Sequence, residues 1–169
     1  TGIDLVALQL RVAFGEPIGI AQQDIVASGH AVEARVYAED PARGFMPSVG
    51  RISLWRTPRA TETGPRIDAG YGAGDMVSPY YDAMLAKVIA WGDDRTAALA
   101  RGAAALDEFD IEGVTTNLSF LGALLRHPAV AANAIDTGLI ERELSALSPK
   151  SPSAGTLELA AAIAGIVLT

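Results

Sequence analysis

The sequence predicts an α+β fold, in which an antiparallel β-sheet is flanked by helices. Between residues 30 and 92, alternating or β-branched runs are separated by loops rich in Gly and Pro, whereas residues 93–147 are rich in Ala and Leu. A group of strands followed by a group of helices favours this class over an alternating, doubly wound sheet. The chain has 169 residues, of which 50% are apolar, and this allows one domain with a hydrophobic core and little room for a second.

A helix is expected near the N-terminus, before the first strand. Thr1 or Asp4 can cap it, apolar residues follow near helical spacing, and Gly15 stops it. Residues 22–28 are expected to add a short helical turn, which Gly29 breaks. The first strand therefore begins directly after this glycine.

The stretch HAVEARVYAEDP, which begins at His30, predicts that first strand. Apolar residues alternate with a set that includes Glu33 and Arg35, so these two charges share one face. A salt bridge on a wet sheet surface is one explanation, and most charged strand faces are of this kind. The other explanation is that Arg35 presents its planar, permanently charged donor fork to an anion in a cleft. Spacing alone leaves both explanations open.

Three more strands and three helices complete the expected fold. The strands are expected at 50–58, 66–70 and 83–92, with loops between them. The helices are expected at 93–113, capped by Asp93 or Asp94, at 117–130, capped by Asn117 and closed by Pro128, and at 136–147, capped by Asp136. Composition then predicts a linker at 148–155 and the start of another helix at 156–169.

A net charge of −7 and the absence of cysteine exclude several function classes. Polyanions would be repelled at long range, which argues against general binding to nucleic acid or anionic membranes. Without Cys there is no thiolate metal site, and His30 and His127 have no partner at metal-ligand spacing, so no metal site is expected. The apolar run from Leu157 to Thr169 is shorter than the ~20 residues that a membrane span needs.

Spacing alone assembles no complete catalytic set. The stretch GYGAGD at Gly70 imitates a phosphate-binding loop only loosely and precedes no expected helix, so it is interpreted as a turn. What remains is a set of charged and aromatic candidates, namely Glu33, Arg35, Glu39, Asp40, Arg43, Tyr80, Tyr81, Asp82 and Lys87.

Several long motifs nevertheless resemble one known family. GHAVEARVYAEDPARGFMPSVGRI is followed by DAGYGAGDMVSPYYDAMLAKVIAWGDDRTAALAR, and then by IEGVTTNLSFLGALLRHP and DTGLIERE. In this order and spacing they resemble the C-terminal part of biotin carboxylase, as found in the biotin-containing α subunits of bacterial acyl-CoA carboxylases. The resemblance covers about Thr1 to Leu147.

The resemblance implies a domain organisation. Residues 1–15 would be the last helix of an ATP-grasp domain, and residues 16–147 would be the biotin carboxylase C-terminal domain, an antiparallel sheet with flanking helices. The family's N-terminal domain and the rest of its ATP-grasp domain are lacking here, together with their sites for ATP, Mg²⁺ and bicarbonate. The chain would then be a piece of a longer, cytoplasmic protein and would be inactive alone.

The resemblance also implies residue roles in the ATP-dependent carboxylation of biotin. In the family reaction, negative charge develops on the ureido oxygen of the biotin enolate, and a positioned guanidinium stabilises it. By its place in HAVEARVYAEDP, that guanidinium belongs to Arg35, and Glu33 would fix it from behind. Tyr81 and Asp82 would line the biotin side of the same cleft, whereas residues 39–40 would hold the turn after the strand.

Partners follow from the resemblance as well. The family's α subunits work with a biotin carboxyl carrier domain and a carboxyltransferase β subunit, and a homo-oligomer is expected. Arg66 lies where the family has an interface arginine, although the loop TPRATETGPRID departs from that of the stand-alone bacterial enzyme. A pyruvate or urea carboxylase is the alternative within the enzyme class, and a structural or assembly module is the alternative outside it. The acyl-CoA substrate is not determined by this region.

Overall fold

The computed structural model describes residues 1–59 and 64–148. The strands are β1 (His30–Tyr37), β2 (Glu39–Asp40), β3 (Met46–Pro47), β4 (Gly50–Arg51), β5 (Leu54–Arg56), β6 (Arg66–Ala69), β7 (Met76–Val77), β8 (Met84–Gly92) and β9 (Asp110–Glu112). The helices are α1 (Leu5–Ala13), α2 (Arg95–Asp107), α3 (Leu118–Leu125), α4 (Pro128–Ala131) and α5 (Leu139–Leu147). The predicted helix at 156–169 lies outside the described residues, as does the predicted linker apart from Ser148.

A three-stranded antiparallel sheet in the order β1-β8-β6 forms the centre of the fold. β1 pairs with β8 along its whole length, from His30 opposite Gly92 to Tyr37 opposite Met84. The remaining strands form the two-stranded ladders β2-β3, β4-β7 and β5-β9. Helix α2 packs on β8 and α3 packs on α2, so the predicted α+β class, an antiparallel sheet with flanking helices, is confirmed.

One face of the central sheet is buried beneath helix α2. Val36 and Val88 are 0% and 1% exposed, and they belong to one core cluster with Leu106 of α2 and Phe109 just after it. Burying an apolar side chain of this size stabilises the fold by roughly 1.5–3 kcal/mol. Because side chains alternate along a strand, the charged residues of β1 lie on the opposite, exposed face, as predicted.

The helix predicted at 93–113 was too long. α2 is capped by Asp94, whose carboxylate accepts the N–H of Ala97 at 2.8 Å, and it ends at Asp107. Residues 110–112 instead form β9, which pairs with β5. Ile111 packs against the buried core from this strand, so tertiary pairing overrides the helical tendency of the alanines before it.

The strand predicted at 50–58 is interrupted. It consists of β4, which pairs with β7, and β5, which pairs with β9. Between them Ile52 is fully buried, and its N–H donates to the carbonyl oxygen of Asp75 at 2.9 Å. The change of partner strand at this position breaks the ladder in two. The short strands β3 and β7 lie in stretches that the sequence predicts to be loops, because two-residue ladders carry too short a pattern to recognise.

Two of the predicted helix-end signals have other roles. Asn117 precedes α3 as predicted, but its side chain makes no capping hydrogen bond and instead binds β1. Pro128 does not close α3, which ends at Leu125. It is the first residue of α4, where its missing N–H leaves no hydrogen bond unmade.

Asp136 likewise does not occupy the cap position of α5, which Gly138 takes. The carboxylate of Asp136 accepts the N–H of Gly138 at 2.8 Å and forms an ion pair with Arg142 at 3.0 Å. The hydrogen bond from Arg142 holds the pKa of Asp136 below its usual value. Asp136 therefore still organises the start of this helix, two residues earlier than a cap would.

Helix α1 begins after Asp4 as predicted, and the Asp4 carboxylate accepts the N–H of Ala7 at 2.9 Å. None of its residues is buried, and Leu5, Val6 and Leu10 are all exposed. That residues 1–15 belong to a different domain from the rest stays a prediction. Within residues 1–59 and 64–148, no helix has the length and apolar character needed to cross a bilayer.

Candidate functional site

Arg35 lies in β1, between the two buried residues Ala34 and Val36, and its side chain lies on the exposed face of the sheet. Its Nε donates a hydrogen bond to Oε1 of Glu33 at 2.9 Å. The two side chains are 58% and 41% exposed, so solvent or a partner molecule can reach both. The predicted pairing of these two residues on one face is therefore present.

The contact with Glu33 stabilises the protonated form of the Arg35 guanidinium. The hydrogen bond that Arg35 donates to Glu33, and secondarily the negative charge of Glu33, raises the pKa of the Arg35 guanidinium above its usual value, and Tyr37 adds to the effect. A guanidinium is already protonated at neutral pH. Among the residues that the structure describes, its two terminal nitrogens have no hydrogen-bonded carboxylate. This arrangement suits an anionic oxygen that approaches from outside.

The neighbouring strands place more charges on the same face. In the sheet register Arg35 is opposite Lys87, and Lys87 is opposite Asp68. Glu33 is opposite Ile89, which is opposite Arg66, in the adjacent row. We call Glu33, Arg35, Arg66, Asp68 and Lys87 the charged sheet face.

The charged sheet face carries three cations and two carboxylates. Like charges directly opposite each other destabilise a sheet, and Arg35 and Lys87 are in that arrangement. Each of these two cations also has a carboxylate neighbour, since Arg35 donates to Glu33 and Lys87 is opposite Asp68, so charges of both signs are interspersed on this face. Lys87 was a candidate from the sequence, but its position opposite Arg35 required the strand register.

Arg66, the predicted interface residue, lies at the start of β6. Its Nε donates to Oδ1 of Asp68 at 2.9 Å, and its side chain is 75% exposed. The hydrogen bond that Arg66 donates to Asp68 raises the pKa of Arg66. The residue is thus accessible and oriented by a carboxylate, and its role between subunits stays a prediction.

Tyr81 and Asp82 lie immediately before β8. Tyr81 is 83% exposed, and the carboxylate of Asp82 accepts the N–H of Met84 at 2.9 Å. Partial burial, and secondarily the charge of Asp82, raises the pKa of Glu39. In the part of the chain that the structure describes, neither Tyr81 nor Asp82 makes a hydrogen bond or ion pair with Arg35. Their predicted place beside biotin therefore rests on the resemblance alone.

The turn after β1 is built as the sequence predicts. The carboxylate of Asp40 accepts the N–H of Ala42 at 3.0 Å and caps the short 3₁₀ turn Pro41–Arg43. Glu39 lies in β2, which pairs with β3. The side chain of Asp40 thus caps the turn as expected, whereas Glu39 takes part through its backbone in a two-residue ladder.

The two histidines have structural contacts. Nε2 of His30 lies 3.2 Å from Nη1 of Arg95, whose guanidinium also donates to the carbonyl oxygen of Val130. Nδ1 of His127 accepts the N–H of Ala129 at 3.2 Å at the start of α4. Across residues 1–59 and 64–148, no group of three His, Cys, Asp or Glu side chains could hold a metal ion.

Comparison with known proteins agrees with this fold. Residues 33–142 match the family of the biotin carboxylase C-terminal domain, and the chain belongs to that family. It is therefore a domain of the biotin-dependent carboxylase class. Within that class, the similar curated proteins are α chains of acyl-CoA carboxylases.

Two of these relatives illustrate the match. The propionyl-CoA carboxylase alpha chain of Ruegeria pomeroyi is 41% identical over 161 residues, which cover 85% of this chain and 24% of the relative. The mitochondrial methylcrotonoyl-CoA carboxylase subunit alpha of Mus musculus is 39% identical over 168 residues, which cover 99% of this chain and 23% of the relative. The chain thus spans about a quarter of the length of the curated relatives that it matches.

A solved structure has the same fold. The biotin carboxylase domain of the 2-oxoglutarate carboxylase of Hydrogenobacter thermophilus, in complex with MgADP, ADP and bicarbonate, superimposes with a TM-score of 0.83 at 32% identity. The match covers 89% of this chain and 33% of that one. The resemblance drawn from the sequence motifs is therefore confirmed at the level of family and fold.

Proposed function

We propose that this chain is part of an acyl-CoA carboxylase and contributes to the ATP- and bicarbonate-dependent carboxylation of protein-bound biotin. The α chains of propionyl-CoA and methylcrotonoyl-CoA carboxylases among its relatives support this proposal. The observation that carries it is the guanidinium of Arg35, held at Nε by Glu33 and opposite Lys87 on an exposed sheet face.

Arg35 is the residue of this chain with the chemistry that the reaction needs. Biotin supplies a ureido group whose nitrogen accepts the carboxyl group. As that nitrogen loses its proton, negative charge develops on the ureido oxygen. The terminal nitrogens of Arg35 can donate to that oxygen, and their stabilisation grows with its charge. Because the guanidinium does not titrate near neutral pH, it remains charged throughout.

The other parts of the reaction would lie elsewhere in a longer protein. ATP and Mg²⁺ would bind to the family's ATP-grasp domain, biotin would arrive on a carboxyl carrier domain, and a carboxyltransferase β subunit would use the product. The isolated chain would then supply half of a site and would not turn over alone. The complex of a related biotin carboxylase domain with MgADP and bicarbonate supports the choice of ATP and bicarbonate.

The direct test is transfer of labelled bicarbonate to biotin in the full-length protein. Incubation with MgATP is expected to produce acid-labile label on the biotinylated protein, because carboxybiotin loses carbon dioxide in acid. Omission of ATP, or capture of the biotin by avidin, serves as the control. Full-length biotinylated protein that hydrolyses no ATP and acquires no label would overturn the proposal.

The same labelled protein identifies the acceptor. With its carboxyltransferase partner it is expected to transfer label to an acyl-CoA, tested with propionyl-CoA and 3-methylcrotonyl-CoA. Transfer to pyruvate or to urea instead would establish the alternative enzyme classes. Label that forms normally but moves to none of these acceptors would contradict the acyl-CoA part of the proposal and leave biotin carboxylation standing.

Replacing Glu33 with glutamine should have a small effect. The variant keeps the shape of the side chain but removes the charge that orients Arg35 at 2.9 Å. Since both side chains are substantially exposed, we expect biotin carboxylation to fall by about two- to fivefold, the range that exposed ion pairs support. Steady-state carboxylation of free biotin measures it. A loss as large as that of Arg35→Ala would show that Glu33 itself takes part in the chemistry.

A further inference from the structure

Asn117 binds the backbone of β1 at Arg35 and at Tyr37. Its side-chain oxygen accepts the N–H of Tyr37 at 2.9 Å, and its side-chain Nδ2 donates to the carbonyl oxygen of Arg35 at 3.2 Å. Its backbone N–H donates to the carbonyl oxygen of Tyr37 at 3.1 Å. Asn117 thus replaces the strand that β1 lacks on this side.

Burial makes this contact specific. Asn117 is 6% exposed and is the one polar or charged residue that is buried among residues 1–59 and 64–148. Buried amides persist when their hydrogen bonds are made, and here both ends of the amide have a partner. An apolar residue would leave the N–H of Tyr37 and the carbonyl of Arg35 without these partners.

The contact lies where the main sheet is least regular. β1 is an edge strand of the β1-β8-β6 sheet, so β8 can hold only one of its sides. The pairing of β1 with β8 shifts between Val36 and Tyr37, since Val36 is opposite Ala86 and Tyr37 is opposite Met84. Without Asn117 the backbone beside Arg35 would therefore depend on an interrupted ladder.

We infer that Asn117 is a positioning residue for biotin carboxylation, acting through the backbone of Arg35. The inference depends on the role proposed for Arg35. The guanidinium is joined to a backbone whose position Asn117 determines, and a displacement of about 1 Å at a reacting centre can lower a rate by about 100-fold. Glu33 orients the tip of the Arg35 side chain, and Asn117 determines where that side chain begins.

The loop that carries Asn117 provides a matched control. In the same loop the N–H of Thr115 donates to Oγ of Ser48 at 2.9 Å, a contact that involves no residue of β1. Ser48→Ala removes this anchor and leaves the three bonds to β1 in place. Asn117→Ala removes both side-chain bonds to β1. Asn117→Asp keeps an acceptor for Tyr37, replaces the donor to the carbonyl of Arg35 with an acceptor, and adds a negative charge at a buried position.

The experiment compares two activities of the full-length protein, namely biotin carboxylation and bicarbonate-dependent ATP cleavage. Asn117→Asp is expected to lower kcat for carboxylation by roughly tenfold, and Asn117→Ala by roughly 10- to 100-fold. In Asn117→Asp, ATP cleavage should change by less than about twofold, because the substitution leaves the nucleotide site untouched. In Ser48→Ala, both activities should change by less than about twofold.

A double variant distinguishes positioning from a general structural role. If Asn117 acts through Arg35, the combination Asn117→Asp with Arg35→Ala should carboxylate biotin as slowly as Arg35→Ala alone, within about twofold. Losses that multiply would overturn the inference. So would an equal loss of both activities in Asn117→Asp and Asn117→Ala, the outcome expected if the fold simply fails. If Arg35→Ala alone left carboxylation unchanged, the proposed role of Arg35 would be wrong, whatever the Asn117 variants show.

Discussion

Replacing Arg35 with alanine in the full-length protein is expected to lower biotin carboxylation by roughly 100- to 1000-fold, the loss seen when one donor to a developing oxyanion is removed. The side chain is the only part of Arg35 that reaches the exposed face, and β1 retains its buried residues Ala34 and Val36 on the other side. We therefore expect the fold to persist. Bicarbonate-dependent ATP cleavage should be reduced far less, because the proposed nucleotide site lies outside this chain.

Two further variants sharpen this test. Arg35→Lys keeps a positive charge but cannot both donate to Glu33 and present a planar fork, so we expect most of the loss to remain. Arg56→Ala is the control, since Arg56 is an exposed cation of β5 that lies 3.7 Å from Asp110 and outside the charged sheet face. It should leave both activities within about twofold. Equal loss of carboxylation and ATP cleavage in a folded Arg35→Ala protein would contradict the proposed role.

Replacing Gly113 with alanine should destabilise the domain by about 3 kcal/mol or more. Gly113 has φ +96°, a conformation that residues with a Cβ rarely adopt, and an added Cβ would lie 2.1 Å from the carbonyl oxygen of Arg51. That oxygen belongs to the backbone of β4 and cannot rotate away as a side chain would. The adjacent hydrogen bond from the N–H of Ser53 to the carbonyl oxygen of Glu112, at 2.9 Å, would be disturbed as well.

Gly44→Ala is the matched control for this prediction. Gly44 also has positive φ, at +66°, but an added Cβ has no atom within 4 Å. The substitution Gly44→Ala should lower the free energy of unfolding only by the conformational penalty, about 1–2 kcal/mol. Thermal unfolding of the full-length proteins, followed through the transition of this domain, measures both. A midpoint for Gly113→Ala equal to that of Gly44→Ala would show that the close approach to β4 has no energetic weight.

The sequence predicts which charged side chains share the exposed face of β1, but it does not predict which residues of the neighbouring strands lie opposite them. The alternation of β1 is a local signal, and it is sufficient to place Glu33 and Arg35 on one side of the strand. The position of Lys87 opposite Arg35 depends on a strand register formed over some fifty intervening residues, and no local pattern encodes it. The choice between a wet salt bridge and a functional site came from the family motifs, because the residue types alone fit both.

Asn117 shows the limit of local rules more sharply. An asparagine before a helix is a normal capping signal, and the helix does begin where that signal predicts. The side chain nevertheless binds a strand that lies 80 residues earlier in the chain. The same limit explains β9, because the three residues after α2 become a strand only through the exposed edge that β5 provides.

The bond between Asn117 and Tyr37 also has a consequence for synthesis of the protein. A ribosome adds roughly 5–20 residues per second, so roughly 4–16 seconds separate the two ends of this contact during translation. Over that interval one edge of the strand that bears Arg35 is unpaired, and before β8 emerges both edges are unpaired. Unpaired strand edges attract other chains, and pairings between residues so far apart form slowly. In the nascent chain, β1 is therefore synthesised early, but its backbone hydrogen bonds to β8 and Asn117 form late. We expect β1 to be a site at which chaperones engage this protein.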